Sequence, residues 1–160
     1  MPFQISALRR DDFENLLSLD DQALARQGAK RSIADRTPGF PCRVSLQDAE
    51  PGEPVILVPF CHQSAASPYR ASGPIYIRQA AQTAVIPPDT VPALLRTRLL
   101  SVRAYNDNHL MTSADVIAGD DLEPLLTRTL AGDDVSYVHI HFARPGCYAC
   151  RVDRVRDDHA

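Results

Sequence analysis

The strongest constraint on the fold is a pair of alternating segments near the C-terminus, VSYVHIHFA (135–143) and CYACRVDRV (147–155), separated by a Pro-Gly turn. A period of two puts Val138, Ile140 and Phe142 on one face of the first segment. Tyr137, His139 and His141 then share the other face. Pro145-Gly146 suits the centre of a type II turn, so the two segments read as a hairpin. Its register decides which side of the second strand meets the histidines. A two-residue turn, or the four-residue loop ARPG, puts Cys150 on the histidine face. A loop of odd length brings Cys147, Ala149 and Arg151 there instead.

The rest of the chain follows the same style of short elements with turn-length links. Residues 11–27 read as a helix with Phe13, Leu16, Leu17 and Leu24 on one face, Asp11 or Asp12 at its start and Gly28 at its stop. A surface loop is expected next. Strands are expected over 42–47, 54–60, 73–78 and 99–105, and in part over 110–119. A brief helix fits 87–98, and GDDLEPLLTRTLAG (119–132) gives a second clear helix. A doubly wound nucleotide-binding fold needs alternating strands and crossover helices with a Gly-rich first turn, and the chain has neither. The expectation is a single α+β domain over 1–160, with a mostly antiparallel, strongly bent sheet and two main helices. At 160 residues such a domain buries roughly two-thirds of its unfolded surface, enough to stand without a disulfide or metal.

Charge narrows the partners. The net charge is −3, with one lysine, Lys30, against sixteen arginines. There is no basic cluster, no zinc-finger spacing and no RNA-binding motif, so neither nucleic acid nor membrane is an expected partner. The N-terminus lacks a secretory signal and no apolar run is long enough to span a bilayer, so a cytoplasmic location is expected. There the four cysteines, Cys42, Cys61, Cys147 and Cys150, are expected to be reduced.

Several residues carry candidate chemistry. His139 and His141, two apart on a strand, can act as general base or as metal ligands. Cys150 is the candidate third partner for catalysis, and for zinc or iron if a metal is present; Cys147 and His62 are alternatives. No cofactor or metal is expected, because paired CxxC spacing is absent. In an extended strand Cys147 and Cys150 point to opposite faces, which opposes a redox disulfide. On LLSVRAY, Ser101, Arg103 and Tyr105 form the polar face. Arg103, Tyr105, His139 and Arg151 are therefore the candidate ligand-binding set, with guanidinium groups suited to carboxylate or phosphate. Arg43, Arg70 and Arg78 are further candidates for such a pocket, with internal ion pairing to the numerous carboxylates expected for most of the arginines.

From Gly39 onward the phrases GFPCRVSLQDAEPGE, HQSAASPYRASGPIYIR, LLSVRAYND and VHIHFARPGCYACRVDR resemble a bacterial family, the domain of unknown function 1203, over about 36–155. That resemblance implies no activity, substrate or cofactor, and it carries over no catalytic residue. Three readings remain. The first is binding of a small anionic molecule in an Arg/His/Tyr-lined pocket. The second is a small enzyme using His139 or His141. The third is an interaction protein sealed as a homodimer.

Overall fold

The computed structural model describes residues 2–156. Met1 and residues 157–160 of the expected domain lie outside the described residues. Among the described residues eight strands and four short α-helices form an α+β fold. The strands are β1 Phe3–Ser6, β2 Lys30–Ile33, β3 Pro54–Gln63, β4 Ala71–Arg78, β5 Leu99–Tyr105, β6 Met111–Ala118, β7 Tyr137–Phe142 and β8 Tyr148–Arg154. The helices are α1 Glu14–Leu17, α2 Asp21–Arg26, α3 Ala93–Arg96 and α4 Leu122–Leu130. All the strand pairings within the sheets are antiparallel. They divide into a five-stranded sheet, ordered β1-β8-β7-β5-β6, and a three-stranded sheet, ordered β2-β3-β4. No helix is long and apolar enough to cross a membrane among the described residues.

The main core lies on one face of the five-stranded sheet. Leu100, Val102 and Ala104 of β5, Val138, Ile140 and Phe142 of β7, and Phe3 and Ile5 of β1 all point into it. Leu122, Leu126 and Leu130 of α4 recur every four residues and are fully buried in the same cluster. A second core joins β3 and β4 to the N-terminal helices through Phe13, Leu17, Leu24, Ile56, Val58, Ile75 and Ile77.

Four local expectations are corrected. The helix expected over 11–27 is broken into a 3-10 turn, Arg10–Phe13, then α1 and α2. Asp20 causes the second start: its carboxylate accepts from Ala23 N at 2.8 Å, a stronger cap than continuing the helix allows. The segment expected as strand 42–47 forms turns, with only isolated bridges Pro41↔Asp48 and Cys42↔Tyr76. Its apolar alternation reflects burial in two cores, since Cys42 and Val44 enter the second and Leu46 the first. Strands β1 and β2 are additional. Phe3 and Ile5 supply the period-two signal of β1, whereas β2 is polar and exists through its pairing with β3.

Gly119 joins α3 to the start of α4 by close backbone approach. Its N–H donates to Arg98 O at 2.8 Å, and a Cβ added there would meet Leu95 O at 1.8 Å. Gly119→Ala is expected to destabilise the protein by about 2–4 kcal/mol in urea unfolding, because the obstacle is backbone. Gly73→Ala, where an added Cβ meets nothing within 4 Å, should stay within about 0.5 kcal/mol of the parent.

Candidate functional site

The face of the five-stranded sheet opposite the main core carries the chemistry. Strand pairing sets it out in rows. Arg103 on β5 lies opposite His139 on β7, which lies opposite Arg151 on β8. In the next row Ser101, His141 and Tyr148 are neighbours, and Tyr105 pairs with Tyr137. Thus the expected ligand set, Arg103, Tyr105, His139 and Arg151, is brought onto one face.

A β-bulge decides the membership of β8. Phe142 N donates to Cys147 O, so the hairpin closes on the four-residue loop ARPG, with Gly146 at φ +82°. That loop alone would place Cys150 with the histidines. Between His141↔Tyr148 and Ile140↔Cys150 the register slips, and Ala149 is the extra residue. Tyr148 and Arg151 therefore both face the histidines. Cys150 turns into the main core, where it is 1% exposed and burial pushes its thiol up to about 12. The expected partnership of Cys150 with His139 and His141, whether catalytic or metal-binding, is corrected: the sheet itself separates them. Among the described residues no three histidine, cysteine or carboxylate side chains converge as a metal-ligand set.

The histidines sit in an aromatic cluster. His139 contacts the rings of Tyr105, Tyr137 and Tyr148 at centroid distances of 5.2, 5.2 and 5.3 Å. His62, from the end of β3, stacks on Tyr148 and meets His141 edge-on at 4.9 Å. Gln63 donates to Tyr137 Oη at 2.9 Å, and that hydroxyl lies 2.8 Å from His109 Nδ1. Gln63, Tyr137 and Tyr148 were not singled out as site residues from sequence. The alternation placed Tyr137 beside the histidines, but nothing local ties β3 to this face.

Burial sets the ionisation of the two strand histidines. His139 is 4% exposed and His141 1%. Desolvation, with the neighbouring imidazole and arginine charges, lowers His139 to about 3. Desolvation also lowers His141 to about 4, against the opposing effect of its hydrogen bond to Gly146 O. That bond defines the tautomer. A carbonyl can only accept, so Nδ1 of His141, 3.0 Å from Gly146 O, carries the proton. Its Nε2 is then a lone pair, 3.5 Å from Arg103 Nη1. His139 Nδ1 is buried without a hydrogen-bond partner.

The arginines separate by partner. Arg78 pairs with Glu53 and Arg98 with Asp48, both at short range and largely buried. Arg70 donates to the Ser64 carbonyl. Arg43 is buried and donates to backbone carbonyls and to Cys147. Arg151 pairs with Asp153 and lies over the Tyr137 ring at 4.2 Å. Arg103 differs from these pairs. Its contacts are Ser101 Oγ at 3.1 Å and His141 Nε2, with no carboxylate among the described residues. A groove of about 1060 Å³ between Thr37, Gln82 and Leu94 lies elsewhere. Its ionisable lining includes Asp48 and Arg78, which are already paired.

The buried histidines make the fold acid-sensitive. Both bind protons more readily unfolded, near the usual imidazole value of 6.5, than folded. Stability is therefore full above about pH 6.5 and is lost as pH falls through the window toward 4. Urea unfolding should show a slope approaching two protons, about 2.7 kcal/mol per pH unit, as pH falls to about 5. A flat profile over that range contradicts neutral, buried imidazoles.

No curated protein and no solved structure matches the chain. A family model matches residues 39–154, which takes in β3 to β8 and hence the sheet face just described. By that match the chain belongs to the family described as protein of unknown function, DUF1203.

Proposed function

We propose that the protein binds a small anion, a carboxylate or phosphate, at Arg103 on the histidine–tyrosine face. The observation that carries this reading is the incomplete pairing of Arg103. A guanidinium has five N–H donors, and here the described partners are one hydroxyl and one imidazole nitrogen. Ser101, two residues away on β5, and Ala114, opposite on β6, are small, and the half-buried Arg103 stays approachable. Arg151 stands two strands away, about 10 Å along the sheet, and adds a positive charge that Asp153 partly offsets. Tyr105 and His139 form the floor rather than the contact. At 3% and 4% exposure they fix the position of the arginine row.

The general-base reading rests on His141. Its Nε2 lone pair faces Arg103, so an anion that draws the guanidinium away would free it. Deep burial weighs against direct catalysis, and anion binding remains the favoured function.

Titration with phosphate and with malonate, followed by NMR shifts of arginine and histidine side chains, tests the proposal. Arg103→Gln should weaken binding at least tenfold, about 1.4 kcal/mol. Arg151→Gln should have the smaller effect, because Asp153 already holds that head. Equal affinity in Arg103→Gln and the parent protein sinks the reading.

A further inference from the structure

A separate cleft of about 540 Å³ opens at the turn end of the β7–β8 hairpin, lined by Arg36, Arg43, Arg98, Arg144, Phe142 and Cys147. It shares no lining residue with the Arg103 face. Arg98 is paired with Asp48 and Arg36 with Asp35. Neither Arg43 nor Arg144 makes an ion pair among the described residues, so the cleft keeps an excess of positive charge.

Arg43 is the unusual member. It is 1% exposed, yet no carboxylate meets it among the described residues. Its Nε donates to Tyr148 O at 2.7 Å and its Nη1 to Pro41 O at 2.5 Å. These two carbonyls fix the guanidinium plane, and Nη2 is left directed at Cys147 Sγ, 2.9 Å away. Phe142 backs the cleft, with the Arg43 and Arg98 guanidinium carbons 5.0 and 5.1 Å from its ring centre. Burial works against the Arg43 charge, and Cys147 is the chief group working in its favour.

The other thiols are placed differently. Cys150 faces the core. Cys42 is buried, its sulfur accepting from Ser45 N and Arg78 N. Cys61 lies on β3 and does not line the cleft. All four cysteines are free. With one thiol in the cleft, a dithiol–disulfide cycle has no second sulfur there. Displacement at carbon needs only one.

We propose that Cys147 is a nucleophilic thiol serving this arginine-lined cleft, and that the cleft takes small carboxylate- or phosphate-bearing molecules with an electrophilic carbon. The thiol proton goes to solvent, and the thiolate is held against Arg43. Its electron pair forms the carbon–sulfur bond while the bond to the leaving group breaks, and the leaving group departs with the electron pair of the broken bond. No oxidant or reductant is consumed. The arginines hold the anionic end of the molecule beside the sulfur.

The test compares iodoacetate, an anionic carbon electrophile, with neutral iodoacetamide on the full chain near neutral pH. Modification is read cysteine by cysteine from peptide masses, with the partly exposed Cys61 as internal reference. The iodoacetate-to-iodoacetamide rate ratio at Cys147 is expected to exceed that at Cys61 by roughly tenfold or more at low salt. It should shrink toward the Cys61 value in about 0.5 M salt. Arg144→Ala removes an exposed side chain without opening the core. It should cut the Cys147 ratio about threefold and leave the iodoacetamide rate unchanged. Arg103→Gln should leave the ratio alone, so this proposal and the Arg103 reading fail separately. The same ratio at both cysteines, or slower modification of Cys147 than of Cys61 by both reagents, overturns the assignment.

Discussion

Arg43 ties the loop around Pro41 to the N-terminal segment and to both sheets. Its three hydrogen bonds run from the loop around Pro41 to Cys147 and Tyr148 at the start of β8. The Arg43 carbonyl accepts from Leu8 N, and Arg43 N donates to Tyr76 O on β4. One residue thus touches the N-terminal segment, the three-stranded sheet and the five-stranded sheet. Burying a guanidinium is costly unless its donors are satisfied, and here each nitrogen is engaged. The cost is offset only when all of these segments are in place, which makes the contact a check on the whole arrangement. It also explains why the 42–47 segment is not a strand. Its backbone and side chains are committed to joining two sheets.

The same junction shapes the histidine face. Tyr148, fixed through its carbonyl by Arg43, presents its ring to His62, His139 and His141. Four of the five histidines and four of the five tyrosines belong to this aromatic cluster. Rings packed at these distances gain from edge-to-face contact while excluding water. Exclusion of water is what keeps the strand imidazoles neutral. Neutral imidazoles add no positive charge beside Arg103. Core packing, imidazole ionisation and the anion-binding role proposed for Arg103 therefore rest on one arrangement.

Much of the architecture was legible along the chain. Strands β3, β5, β7 and β8, the helix around Leu122–Leu130 and the hairpin turn at Pro145-Gly146 all follow local periodicity and turn chemistry. The α+β class follows from them. Strand β2 was not legible because KRSI has no apolar pattern of its own; β3 supplies its partner. The break at Asp20 was missed because apolar spacing continues across it, and only the cap distinguishes two helices from one.

By itself the sequence determined the two faces of β5 and β7, and with them the company of Ser101, Arg103, Tyr105, Tyr137, His139 and His141. A period of two needs no knowledge of neighbours. Only the tertiary structure decided what β8 adds to that face. One extra residue, Ala149, turns Arg151 toward the histidines and Cys150 into the core. Likewise, the meeting of Arg43 with Cys147, 104 residues apart, depends on two sheets packing over a buried guanidinium. Local pattern carries no information about contacts made at that separation.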